Sequence, residues 1–155
     1  LAGLTPEACF DAFLREVWIA GGGLGAAQIV VEGNPVTRQG SIRQVAGGIQ
    51  EEILSSSRAA FVEYHVKSGP FPVSYHRGRV EFAAVEDSPS DEATMVTWSC
   101  SFTPTWPLGP VLKHVIRGSF SAMLRHLARF ADLEEQVEPE ESKRRKLGGE
   151  RAEPE

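Results

Sequence analysis

The chain has 155 residues, 41% hydrophobic and 24% charged, with a formal net charge of -5, the balance of a globular protein with core enough for one domain. No apolar run approaches the roughly 18 residues needed to cross a bilayer, and no secretory leader pattern is present, so neither a membrane span nor export is expected. Residues 132–155 hold nine acids and five bases, which leaves residues 1–131 nearly neutral and without the basic footprint of a nucleic-acid binder.

The chain starts at Leu1 rather than Met, which leaves room for residues upstream. Thr5 followed by Pro6 reads as a helix N-cap and first turn. Phe10, Phe13, Leu14 and Val17 then recur at helical spacing, so the pattern predicts a short amphipathic helix over 6–17. The glycine cluster in 18-WIAGGGLGAAQIVVEG-33 ends it. A dinucleotide loop needs a strand before its glycines and a helix after them. Here the order is reversed and no Lys-Ser/Thr follows, so the glycines supply backbone freedom rather than a phosphate cradle. No nucleotide, cofactor or metal is expected.

Six runs then read as strands: 27–33, 40–46, 49–55, 59–67, 72–85 and 94–102. Gly, Pro, Ser and Asp separate them at hairpin intervals, as an antiparallel meander requires. If Gly47-Gly48 is a two-residue turn, Arg43 faces Glu52 as a surface ion pair. Ile42, Ile49 and Ile53 then share the inner face with Gln44 and Glu51. A carboxylate in a packed core is penalised. Either that face is partly open to water or ligand, or the register is shifted by one residue. In later runs Val62, Tyr64 and Val66 share a face, as do Val96, Trp98, Cys100 and Phe102. Val80 and Phe82 belong together, with Tyr75 out of phase unless Gly78 marks a bulge.

After Pro110 the period changes. Val111, Leu112, Val115, Ile116, Phe120, Met123, Leu124, Leu127 and Phe130 form one stripe, a helix of about 22 to 25 residues on the order of 35 Å long. The remainder, 134-EEQVEPEESKRRKLGGERAEPE-155, is expected to be disordered. Lys143, Arg144, Arg145 and Lys146 have the composition of a nuclear-import signal, although such a charge run is usually just solvated.

Two cysteines, Cys9 and Cys100, stand far apart without a CxxC. A disulfide framework is not expected, and a reducing compartment, the cytoplasm, fits. The four histidines form no HxxxH or HExxH pair, and no GxSxG is present, so neither a metal site nor a nucleophile elbow is expected. The inward residues are large and aromatic with a few polar members. That mixture suits an apolar cavity with polar anchors, and equally an ordinary aromatic core. Gln44, Glu51, Val62, Tyr64 and Tyr75 are the candidate lining from the earlier strands. Phe82, Val96, Trp98, Phe120 and Met123 complete it.

Short helix, antiparallel meander and one long C-terminal helix is the element order of the helix-grip α+β fold. Val17-Trp18 closing the first helix, Gly40 three residues before Arg43, Glu51 after Ile49, and Tyr64 carry a family resemblance. So do Pro72-Val73 with Tyr75, Val80, Trp98, and Phe102 two before Pro104. In these, over residues 5–131, the chain resembles the START-like SRPBCC superfamily, in particular its polyketide cyclase/dehydrase and lipid-transport branch. The resemblance implies a curved sheet wrapped around the long helix, enclosing a cavity for lipids, sterols or polyketides. The family begins with a strand before the first helix, for which Leu1–Leu4 is too short. Either that strand lies upstream, or the sheet edge is open and invites pairing with another chain. The expected organisation is one domain over 1–131 and a tail over 132–155. The expected function is binding or transport of a small hydrophobic ligand. One alternative is a cyclase or aromatase in which Glu51, Tyr64 or Tyr75 shuttles protons; another is an interaction domain with a vestigial pocket.

Overall fold

The computed structural model describes residues 1, 3–86, 93–105 and 107–149, the last sixteen of them by their backbone alone. Helix α1 spans Pro6–Ala12, and Thr5 caps it by accepting a hydrogen bond from the Ala8 N–H at 3.2 Å. Its continuation, Phe13–Ile19, widens into a π-helix, an uncommon geometry over this length. The predicted helix is therefore present, with its second half wound more loosely than its periodicity implies.

All six expected strands form: β1 Gln28–Val31, β2 Ile42–Val45, β3 Ile49–Ser57, β4 Phe61–Ser68, β5 Val73–Ala84 and β6 Thr94–Pro104. They make one antiparallel sheet in sequence order, β1 to β6. Helix α2, Gly109–Gly149, follows. The helices lie on one face of a curved antiparallel sheet, which is the helix-grip α+β arrangement. Among the described residues, no helix is long and apolar enough to cross a membrane.

The register between β2 and β3 differs from the two-residue turn. Ala46-Gly47-Gly48 make a three-residue turn with Gly47 and Gly48 at positive φ. Val45 therefore pairs with Ile49, Gln44 with Gln50, Arg43 with Glu51 and Ile42 with Glu52. The one-residue slip inverts β2, while β3 keeps Ile49, Glu51 and Ile53 on the inner face as expected. Arg43, expected at the surface opposite Glu52, is inside opposite Glu51, and Ile42 and Gln44 move to the other face. Glu52 instead joins Lys67 at 2.9 Å and His65 at 3.3 Å on the outer surface. Next to it Glu63 meets Arg77 at 2.7 Å and Arg79 at 3.4 Å.

The inner face is dry at one end. Phe10, Phe13, Val17 and Trp18 pack against Ile53, Val62, Val80 and Phe82, all buried. Phe10 and Phe13 meet Phe82 edge-on at 5.7 and 5.8 Å between ring centroids, the geometry their quadrupoles favour. At the β6 edge, Leu1 exchanges both backbone hydrogen bonds with Thr94, at 2.6 and 2.9 Å, and the Thr94 hydroxyl donates to Leu4 O at 2.7 Å. The chain start thus supplies a single rung to that edge.

The apolar stripe of α2 is narrower than its sequence pattern. Leu112, Ile116, Met123, Leu127 and Ala131 are buried, whereas Val111 and Val115 are 63% and 53% exposed. The helix backbone also continues through Gly149, across residues 134–149 where disorder is expected. The side chains of Lys143 to Lys146, with their import reading, and residues 150–155 lie outside the described residues.

Leu127 is the fully buried member of the α2 stripe, and Leu127→Ala is expected to cost about 2–5 kcal/mol by leaving a cavity. Exposed Arg125→Ala is expected to stay within about 0.5 kcal/mol of wild type. Chemical denaturation of the two variants checks the docking of α2. Equal effects would contradict it.

Candidate functional site

Beyond the dry core, the sheet and α2 diverge around a cavity of about 410 Å³. Three elements wall it. The inner faces of β2 to β5 contribute Arg43, Val45, Ile49, Glu51, Tyr64, Val66 and His76. The first turns of α2 contribute Val115, Ile116, Ser119, Phe120 and Met123, and the glycine loop after the π-helix adds Gly21, Leu24 and Gly25. Leu24 and Val115 are both lining residues and exposed, so they mark the mouth.

Local backbone chemistry explains the loop. Gly21, Gly22, Gly23 and Gly25 all sit at positive φ, a conformation side chains resist. A Cβ on Gly22 would stand 2.7 Å from Met123 Cγ, and one on Gly23 would stand 3.2 Å from His126 Nδ1. The glycines thus let the chain leave the π-helix and lie against α2, closing one side of the cavity.

A buried polar cluster holds the inner end. Arg43 is 4% exposed, and its guanidinium gives Nε and Nη2 to Glu51 Oε2 at 2.8 and 2.7 Å. Nη1 donates to the π-helix carbonyls of Val17 and Trp18 at 2.6 and 3.1 Å. The same guanidinium lies 4.2 Å from the centre of the Trp18 ring, a cation–π contact in a dry setting. The Trp18 indole N–H donates to Ser41 Oγ at 3.1 Å. Every nitrogen of the cation is engaged.

Tyr64 stands at the centre. Its hydroxyl accepts from the Trp98 indole at 3.0 Å, and its ring approaches Trp18 and His76 at 5.8 and 5.7 Å. Gly78, its cross-strand neighbour, makes room for it: a Cβ there would sit 2.3 Å from Tyr64 Cζ. Gly78 is therefore a site of close ring approach, not the bulge that would bring Tyr75 into phase. Trp98 stacks on Phe120 at 4.5 Å, so Trp98 braces two lining residues from behind. Burial, and then the Glu51 charge, hold the Tyr64 phenol well above its ordinary range. The same two causes push the half-buried Cys100 thiol up to about 11.

His76 is 7% exposed, and its Nδ1 has no hydrogen-bond partner among the described residues. Burial lowers its pKa below the ordinary histidine value, His65 adds to that, and Glu51 opposes it. The histidine is therefore neutral near pH 7.

Of the ten candidate residues, the structure brings Glu51, Tyr64, Phe120 and Met123 to the cavity. Val62 and Phe82 are in the dry core, Val96 packs against that core, and Trp98 stands behind the wall. Gln44 meets Gln50 away from it at 3.5 Å. Tyr75 points out of the sheet and is 48% exposed, because β5 buries His76, Gly78, Val80 and Phe82 on the opposite phase. That alternation, read back from Val80 and Phe82, would have found His76. Nothing in the pattern marks Arg43 as inward, since a charged residue in a strand normally faces water. Among the described residues no cluster of His, Cys, Asp or Glu is placed to hold a metal.

Solved structures of low sequence identity share this architecture. XoxI from Bacillus cereus aligns with a TM-score of 0.61 at 17% identity, over 84% of this chain and 90% of its own. A protein from Thermobifida fusca aligns with a TM-score of 0.60 at 19% identity, over 82% and 87%. An uncharacterised protein from Bacillus thuringiensis aligns with a TM-score of 0.51 at 19% identity, over 73% and 86%. At such identities the likeness establishes the fold. No family model matches the sequence, and no curated protein matches it.

Removing one member of the buried ion pair strands the other. Arg43→Met is expected to destabilise the protein by about 3–5 kcal/mol, and a further Glu51→Met is expected to restore part of that loss. A denaturation cycle on the two variants and their combination measures it; additive losses would contradict the coupling. His76 gives a pH signature. Its folded pKa lies below the unfolded value of 6.5, so the unfolded chain takes up the proton first. Its contribution is complete above pH 6.5 and is lost as pH falls through the folded pKa. His76→Phe is expected to flatten the decline of stability just below pH 6.5 relative to wild type.

Proposed function

We propose that this protein binds and carries a small hydrophobic ligand in the cavity between the sheet and α2. The observation that carries the reading is the hollow itself: about 410 Å³, within the range of sites for drug-sized molecules. Its walls are largely apolar, with a few polar groups at the inner end and an apolar mouth at Leu24 and Val115. The resemblance of residues 5–131 to the START-like SRPBCC superfamily supports the same reading, since its lipid-transport branch holds ligands in this part of the fold. The open edges at β1 and β6 leave pairing with a second copy as a further element of the proposal.

The cyclase alternative draws less support. Glu51 Oε2 is occupied by Arg43, and the Tyr64 phenol holds its proton more tightly than usual. Tyr75 lies outside the cavity. A proton shuttle needs an acid and a base within reach of one bound molecule, and with Glu51 held by Arg43 and Tyr75 outside the cavity these three residues do not make that set. The vestigial-pocket alternative would be favoured by a collapsed interior, and the interior is open.

Ser119 faces the cavity from α2 and carries no core packing, so Ser119→Trp fills the hollow from a tolerant position. An uncharged environment-sensitive probe such as Nile red is expected to bind wild type with micromolar Kd, on the order of 8 kcal/mol. Ser119→Trp is expected to weaken binding at least tenfold while the unfolding midpoint is retained. Non-saturable uptake by wild type, or equal uptake by the variant, would remove the cavity from the function.

A further inference from the structure

His76 Nδ1 combines three properties: it is buried, it lacks a partner among the described residues, and its side chain lines the cavity. An unmade hydrogen bond at a buried polar atom is costly, so a group delivered there gains what the fold leaves unmade. We propose that His76 Nδ1 is the polar anchor of the cavity, and that the ligand is a neutral apolar molecule bearing a hydroxyl group, an alcohol or a phenol, rather than an acid. This rests on the reading of the cavity as a ligand site.

Two features select the hydroxyl. A neutral imidazole presents Nδ1 as a donor in one tautomer and an acceptor in the other, and a hydroxyl satisfies both because it donates and accepts. A carboxylate satisfies only the first, and it meets an unfavourable field. Glu51 is a lining residue, and Arg43, the cation beside it, already gives all three nitrogens to Glu51, Val17 and Trp18. An anionic head would therefore be desolvated next to a carboxylate without a cation to receive it. Tyr64, whose ring centre is 5.7 Å from that of His76, accepts from Trp98 and keeps its own proton, so it brings no charge beside the anchor.

Three probes of one shape separate the classes: 2-naphthol, 2-methylnaphthalene and 2-naphthoate, titrated calorimetrically into wild type and His76→Phe at pH 7.5. An unpartnered hydroxyl in an apolar pocket is penalised relative to methyl. The wild type is expected to bind 2-naphthol at least as tightly as 2-methylnaphthalene, and 2-naphthoate at least tenfold more weakly. In His76→Phe the preference for hydroxyl over methyl is expected to fall about tenfold, the scale of one hydrogen bond. A hydroxyl-to-methyl ratio that is the same in both proteins overturns the anchor, as does tightest binding of 2-naphthoate. If 2-methylnaphthalene binds and that ratio does not change, the anchor fails and the cavity reading stands. If none of the three binds wild type, both fail. Should His76→Phe not fold, the side-chain ¹⁵N resonance of His76 Nδ1 in wild type decides: it is expected to shift with 2-naphthol and not with 2-methylnaphthalene. No shift with either overturns the proposal.

Discussion

The contact on which the rest of this structure depends is the buried guanidinium of Arg43. It ties β2, which carries it, to the end of the π-helix through the Val17 and Trp18 carbonyls and the Trp18 ring, and to β3 through Glu51. The end of a helix leaves carbonyls without intrahelical partners and carries a partial negative charge. A cation placed there satisfies both needs. Taking two charges out of water costs several kcal/mol per ion, and the offset requires that no guanidinium nitrogen is left bare. That condition is met only when Arg43 lies opposite Glu51. A slip of one residue of β2 against β3 would put Arg43 in water, turn Val45 outward and leave Glu51 inside without its cation. The ion pair is thus a device for register as much as for stability.

Its charge balance also decides what kind of space the cavity is. With the cation fully engaged by a carboxylate and two carbonyls, the inner end carries charged groups but no net charge to offer. The neighbouring titratable groups sit in their neutral forms, Tyr64 with its pKa raised and His76 with its pKa lowered, for the common reason that burial penalises charge. A hollow built this way favours neutral molecules. His76 Nδ1, the buried side-chain polar atom without a partner among the described residues, is then the feature that distinguishes one neutral molecule from another.

The order of elements was legible because period alone carries it. Six alternating runs separated by turn residues, then one long run at helical spacing, leave few architectures, and the helix-grip arrangement follows. What period cannot carry is phase relative to a partner strand. Gly47-Gly48 invites a two-residue turn, and the chain instead adds Ala46, so the side chains of β2 were assigned to the wrong faces. The shifted register was the alternative raised by the discomfort of a core Glu51, and that carboxylate was the useful clue. The π-helix over Phe13–Ile19 has the same apolar residues as an α-helix and leaves no separate mark. Val111 and Val115 match the α2 stripe in spacing but stay exposed, Val115 at the cavity mouth. Their exposure reflects the shape of the partner, which no single-helix pattern contains.

Hollowness has to be kept open against close packing, which is what buried apolar surfaces otherwise reach. Here the two tendencies are separated along the sheet. Below Tyr64 the inner face is filled by Ile53, Val62, Val80 and Phe82 against α1 and its continuation. Above it the same strands carry Val45, Ile49 and Val66 with nothing from α1 to meet them. Between the two halves stands a wall of rings held by directed contacts. Tyr64 rests over Gly78 and takes a hydrogen bond from Trp98, and Trp98 stacks on Phe120. Each ring is fixed by an edge, a face or a polar tip, so none is free to swing into the open half. Apolar burial on one side of this wall stabilises the fold, and that allows the other side to remain unfilled.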